Sequence, residues 1–153
     1  MKVRQLVPGD DPGSAILLLQ RFFREEGFDT PDDVIAANTR RMLGLDVCAI
    51  LQAEEDGVAI GVATVSMEFG IEFGWSAEMG DLYILPEWRG RGVARLIVAA
   101  AEDYLRARGA AGYQVTVTPF GEKSHGLRDF YRALGFAEEG RELLYRKLSG
   151  KGA

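Results

Sequence analysis

The chain has 153 residues, 47% hydrophobic and 27% charged, enough for one globular domain with a substantial core and with no room for a second. Its apolar runs, Ala15 to Leu19 and Leu96 to Ala101 among them, are far short of the ~20 residues of a membrane span, and no basic-then-apolar leader opens the chain, so a cytoplasmic protein is expected. The net charge of −5 is uneven: residues 1–80 carry 6 Lys/Arg against 14 Asp/Glu (−8) and residues 81–153 carry 12 against 9 (+3), which disfavours nucleic acid and suits the halves to ligands of opposite sign.

In chain order, Val3 to Leu6 reads as a short strand closed by the turn cluster Pro8 to Gly13. A helix capped by Ser14 follows, with Ile16, Leu19, Phe22 and Phe23 on its apolar stripe and Gly27 at its end. Thr30-Pro31-Asp32-Asp33 has the composition of a helix start, Thr as cap and Pro first, for a helix to about Met42. Val47 to Gln52 and Val58 to Met67 form a predicted antiparallel hairpin turned at Asp56-Gly57. The lone Cys48 rules out an internal disulfide and suits a small core position. Phe69 to Trp75, apolar but broken by glycines, is expected to be a loop with aromatic side chains, and Glu78 to Leu85 the next strand.

Between that strand and a helix from Val93 to Arg108 stands Arg89-Gly90-Arg91-Gly92-Val93-Ala94. Two glycines let the backbone approach a ligand, and the first amides of a helix point free N–H groups at it. With Arg89, Arg91 and Arg95 nearby, the turn suits a pyrophosphate. No Gly-x-x-x-x-Gly-Lys is present, and Arg95 occupies the third-glycine position of a dinucleotide fingerprint, so neither of those nucleotide loops applies. Val93, Leu96, Ile97, Ala100 and Tyr104 make the predicted buried face of the helix, which Gly109 ends. A strand-like run, Tyr113 to Val117, a loop from Pro119 to His125 and a helix through Tyr131 come next, then a last strand, Leu143 to Leu148, and a frayed tail. With His125 alone, a histidine metal site or a Ser-His-Asp triad is not expected.

Arg89, Gly92 and Ala94 satisfy Arg/Gln-x-x-Gly-x-Gly/Ala, and Phe130-Tyr131-Arg132-Ala133-Leu134-Gly135-Phe136 follows at the distance of one helix and one strand. In these two elements the chain resembles the GNAT superfamily of acetyl-CoA-dependent N-acetyltransferases over about residues 45–148. The resemblance implies an α/β fold with a mixed, mostly antiparallel sheet flanked by helices. It implies acetyl-CoA as donor, no metal, and direct transfer to a primary amine. Carried over by position, Arg89, Gly90, Arg91, Gly92, Val93, Ala94 and Arg95 would hold the pyrophosphate. Leu82, Tyr83 and Ile84 would offer backbone groups to the pantetheine arm, which needs a bulge or splay there. Ser124 falls where many members have an asparagine facing the cofactor.

By the same resemblance the Tyr131 hydroxyl would donate to the departing sulfur; its other reading is packing in the stripe Leu127, Phe130, Tyr131, Leu134. Glu78 is the expected general base, Asp81 a contact to the acceptor's ammonium group, and Glu72 and Trp75 parts of the acceptor pocket. Without a bulge, alternation puts Glu78 with Gly80, Leu82 and Ile84 and sets Asp81 opposite with Tyr83. His125 reads either as a base or as a loop or capping residue. The acidic first half and the aromatic run Phe69 to Trp75 favour a small polyamine- or aminoglycoside-like acceptor. A peptide N-terminus or lysine would call for an open groove. A non-catalytic acetyl-CoA-binding module would have little use for Tyr131, and a purely structural protein would bind no cofactor. Members of the family often form homodimers.

Overall fold

A computed structural model of the chain describes residues 1–149. Five strands share one sheet in chain order: β1 (Lys2–Gln5), β2 (Cys48–Glu55), β3 (Val58–Gly70), β4 (Gly74–Ile84) and β5 (Tyr113–Val115). The first three junctions are antiparallel and β5 joins β4 in parallel. The helices are α1 (Gly13–Glu26), α2 (Asp32–Leu43), α3 (Val93–Ala107), α4 (Pro119–His125) and α5 (Leu127–Ala133). Among the described residues no helix is long and apolar enough to cross a membrane.

Strand alternation sets the layers. On β3, Val62 and Thr64 face one side, where the Phe22 ring of α1 meets Tyr83 at 5.6 Å. Gly61, Ala63 and Val65 face the other, where a side chain at Gly61 would collide with Ile84 and with Ile97 of α3. The sheet is thus covered on both faces, and Ile50, Ile60, Val62, Val65, Val93 and Ile97 are fully buried at the interfaces. Each such side chain contributes about 1.5–3 kcal/mol by leaving water. The β2–β3 turn falls at the expected Asp56-Gly57, both residues at positive φ (49° and 77°) as a type I′ turn requires.

Several expectations are corrected. Phe69 to Trp75 is not a loop: β3 and β4 run through it to a tight tip, pairing Phe69 with Trp75 and Gly70 with Gly74. The two rings pack edge to face at 5.3 Å, a cross-strand pair that prolongs the ladder while the glycines serve the turn. Leu143 to Leu148 carries a strand pattern but, among the described residues, pairs with no strand and is exposed. Helix α3 buries Val93, Ile97, Val98, Ala101 and Leu105, so its core face is rotated from the predicted one and Leu96 is exposed. Neither Ser14 nor Thr30 caps a helix; Pro12 and Pro31 hold those positions. The Thr-Pro start works instead at Thr118–Pro119, where Thr118 accepts the Gly121 amide and turns the expected loop Pro119 to His125 into α4.

A bulge in β4 positions the site. Thr64 pairs with Asp81 and Val65 with Met79, leaving Gly80 as an extra residue. One inserted residue resets the alternation. Glu78, Asp81 and Tyr83 share the α1 face, and Met79, Leu82 and Ile84 share the α3 face, which corrects the unbulged assignment of Glu78 to the Leu82 side.

Candidate active site

Pairing between β4 and β5 ends at Met79–Val115, one residue before the bulge. Past that point the strands part and leave a cleft of about 600 Å³ between the outer edge of β4 and α4–α5, with the end of α1 over it. The Leu85 N–H turns inward to Ile60 O (2.9 Å), so antiparallel alternation turns the backbone groups of Leu82 and Ile84 outward to the cleft. Arg89 Nε occupies the Ile84 carbonyl at 3.0 Å. Tyr83 keeps its backbone in the β3 ladder and adds its side chain to the cleft.

The glycine turn closes one end. Gly90 and Gly92 take positive φ (75° and 84°), which an L side chain adopts at a cost of about 1–3 kcal/mol. The space a Cβ would enter is open at both. No side chain caps α3, and its first backbone bond is Leu96 N–H to Gly92 O, so the amides of Val93, Ala94 and Arg95 are left for a ligand. Unbonded amides at a helix start, two side-chain-free positions and Arg95 beside them fit the diphosphate of a coenzyme. Arg91 does not line the cleft; its guanidinium lies over Trp88 at 4.8 Å. Ser124, on the exposed side of α4, is also outside it.

Tyr131 of α5 lines the cleft and is nearly buried between Phe130 and Phe136, each at 5.2 Å. Burial pushes its phenol up to about 12, so it keeps its proton, and no protein group among the described residues bonds its hydroxyl.

The α1 wall holds residues that sequence reasoning missed. Glu25 accepts from Arg89 Nη2 at 2.8 Å and from the Tyr83 hydroxyl at 3.0 Å, with His125 Nε2 at 3.8 Å. Burial alone would raise its carboxyl pKa, but the bonds from Arg89 and Tyr83 and the charges of Arg89 and His125 outweigh that and lower it. Glu26 accepts from Thr118 at 2.9 Å. Phe22 and Phe28 complete this wall. The only hint in the sequence was the acidic balance of the first 80 residues, because the hydrogen-bond partners of Glu25 and Glu26 stand 58 to 92 positions away.

The remaining sequence-derived candidates fall into two groups. Glu78 and Asp81 flank Met79 and Gly80, which line the cleft, but neither carboxylate lines it itself. Burial raises the Asp81 pKa, the Thr64 hydroxyl at 2.5 Å opposes the shift, and the charge of Glu78 adds to it. Glu78 has a long contact from Gln114 at 3.5 Å. Glu72 and Trp75 lie at the hairpin tip, the opposite end of β4 from the glycine turn, because the strands continue through the expected loop. There Arg141 forks onto Glu72 (2.8 and 2.7 Å) and Trp75 packs on Phe69.

Comparison with known proteins agrees with this geometry. The family model for the acetyltransferase (GNAT) family matches residues 15–136. An aminoglycoside N(6')-acetyltransferase type 1 of Salmonella typhimurium is 31% identical over 121 residues, 76% of this chain and 81% of the relative. A protein of the same description from Stenotrophomonas maltophilia is 26% identical, over 94% of this chain and 91% of its own. The solved structure of AAC(6')-Iy in complex with the bisubstrate analogue CoA-S-monomethyl-acetylneamine superposes with a TM-score of 0.81 at 26% identity, covering 97% of this chain and 98% of the other. With the cleft fitted to a coenzyme diphosphate and the family model spanning both cofactor elements, the chain belongs to the GNAT acetyltransferase family and is an acetyl-CoA-dependent N-acetyltransferase.

Proposed function

We propose that the acceptor is a small polycationic amine of the aminoglycoside kind, acetylated by direct attack on the thioester. The observation that carries this reading is the pair of carboxylates, Glu25 and Glu26, that α1 brings into the cleft, Glu25 against Arg89 of the anion-binding turn. Phe22, Phe28 and Tyr83 beside them give apolar and π surfaces against which an aminosugar packs. The relatives described as aminoglycoside acetyltransferases support the same class. The −8 balance of residues 1–80 favours a cationic small molecule over nucleic acid. In this reading the 153 residues act as one catalytic unit in the cytoplasm.

Bound acetyl-CoA supplies an acyl group already activated as a thioester. The Val93, Ala94 and Arg95 amides hold its diphosphate, with the side chain of Arg95 and, once drawn from Glu25, that of Arg89. The outward groups of Leu82 and Ile84 orient the pantetheine along β4. Glu78 takes the proton of the acceptor's ammonium group through water, with Asp81 beside it, which leaves the amine's lone pair free. The Tyr131 hydroxyl donates to the departing sulfur.

Thiol release from acetyl-CoA, measured against aminoglycosides, polyamines and short peptides with a no-acceptor control, tests the acceptor. Saturable release with aminoglycosides or polyamines is expected. Release confined to peptides would overturn the assignment.

A further inference from the structure

We propose, on the reading above in which Glu25 faces a cationic acceptor, that Arg89 is a counter-ion shared by the two substrate sites. Acetyl-CoA draws it from Glu25, and the carboxylate so released takes an ammonium group of the acceptor. Cofactor and acceptor then strengthen each other's binding although they touch different walls of the cleft.

Arg89 stands between the sites. Its Nη2 donates to Glu25 Oε1 at 2.8 Å, its Nε donates to the Ile84 carbonyl at 3.0 Å, and its guanidinium lies 5.4 Å from the centre of the Tyr83 ring. The Ile84 carbonyl is one of the outward groups offered to the pantetheine arm, and Gly90, next in the chain, opens the turn offered to the diphosphate. A pantetheine amide therefore competes for the acceptor of Arg89 Nε, while the diphosphate competes for the guanidinium itself. The diphosphate carries more charge than one carboxylate and accepts the same planar fork of N–H donors, so it wins that contest.

What remains at Glu25 suits a cation. The Tyr83 hydroxyl donates to it at 3.0 Å and His125 Nε2 stands 3.8 Å away, both from outside the glycine turn, so the carboxylate keeps its place in the cleft when Arg89 withdraws. With Arg89 on Glu25, an arriving ammonium group meets a neutralised pair and a like charge. With Arg89 withdrawn, it meets an uncancelled carboxylate. The side chains of Arg89 and Glu25 are 33% and 29% exposed, deep enough that water does not fully screen the pair and open enough that it can be exchanged. Breaking the pair costs the coenzyme part of its affinity, and a cationic acceptor that pairs with Glu25 restores it. By linkage each ligand must tighten the other by one and the same factor.

The test is calorimetric titration of the full chain with CoA and with the aminoglycoside kanamycin, each alone and each in the presence of the other. CoA carries no acetyl group, so no turnover intervenes. In the wild-type chain each ligand should tighten the other by about 10-fold. Arg89→Gln should bind kanamycin without CoA as tightly as the wild type does with it, and Glu25→Gln should bind kanamycin weakly in both conditions while binding CoA more tightly than the wild type. Both variants should lose the coupling. Damage to the fold would weaken every titration, so the gain of one affinity in each variant is a readout that a purely structural role does not give. A wild-type coupling factor of one would overturn the proposal, as would coupling that survives Glu25→Gln or the absence of either gain. Kanamycin bound neither with nor without CoA would overturn the acceptor class together with the coupling, whereas equal binding in the two conditions would overturn the coupling alone.

Discussion

The two walls of the cleft are built by different means. The β4–α3 wall comes from one stretch, residues 82–95, and presents mostly backbone: outward groups of a strand edge, two glycines at positive φ and the uncapped start of a helix. The α1 wall presents side chains, held by partners far along the chain: Tyr83, Arg89 and His125 on Glu25, Thr118 on Glu26. Backbone recognition is set by local conformation and suits a group that does not vary, as the diphosphate of the proposed function does not. Side-chain recognition can be changed residue by residue, which suits the proposed role of the α1 wall in holding the acceptor.

Substitutions on each wall should separate the two functions. The largest effect is expected for Gly92→Glu, which combines a strained φ with a negative charge in the anion site: CoA affinity should fall by at least about 100-fold by calorimetry. An unchanged affinity would remove the turn from the diphosphate site. Next, Tyr131→Phe should lower kcat on the order of 100-fold with little change in acetyl-CoA affinity, since only a proton donor is lost. A rate equal to wild type across the pH range would reduce Tyr131 to packing. On the other wall, Glu25→Gln should raise the KM of a cationic acceptor by about 10-fold, as expected for loss of a charge-assisted contact, and lower the KM of acetyl-CoA, because Arg89 no longer has to leave a carboxylate to reach the diphosphate. The reverse split would move Glu25 to the cofactor side.

The smallest effect concerns stability. The Asp81 pKa is raised in the folded chain above 3.8, so the folded state holds this proton more tightly than the unfolded one. Its contribution to stability is therefore greatest below 3.8 and declines as pH rises through the folded pKa. Asp81→Asn, which still accepts from Thr64, should have a higher Tm than wild type at neutral pH, and that gain should vanish in acid. A gain that grew on acidification would contradict the sign of the shift.

Local signals were legible where one short stretch carries the physics. Asp56-Gly57 announced a type I′ turn, and Gly90 and Gly92 a backbone open to phosphate. Even the family position of Tyr131 led to a phenol that lines the cleft. Signals failed where a neighbour decides. The glycines at 70 and 74 looked like strand breakers, but the Phe69–Trp75 pair carries the ladder past them. Thr30-Pro31 and Thr118-Pro119 look alike in sequence, yet only Thr118 caps, and its hydroxyl also binds Glu26 of a distant helix.

By itself the sequence determined the family, the α/β class and the acetyl donor, because these rest on motifs of contiguous residues, among them glycines whose backbone conformations few residues allow. Only the tertiary structure decided which carboxylates enter the cleft, that Gly80 bulges and brings Glu78, Asp81 and Tyr83 to one face, and that among the described residues the run Leu143 to Leu148 joins no strand of the sheet. A single inserted residue inverts every side chain beyond it, and the register that inserts it is set by the neighbouring strand.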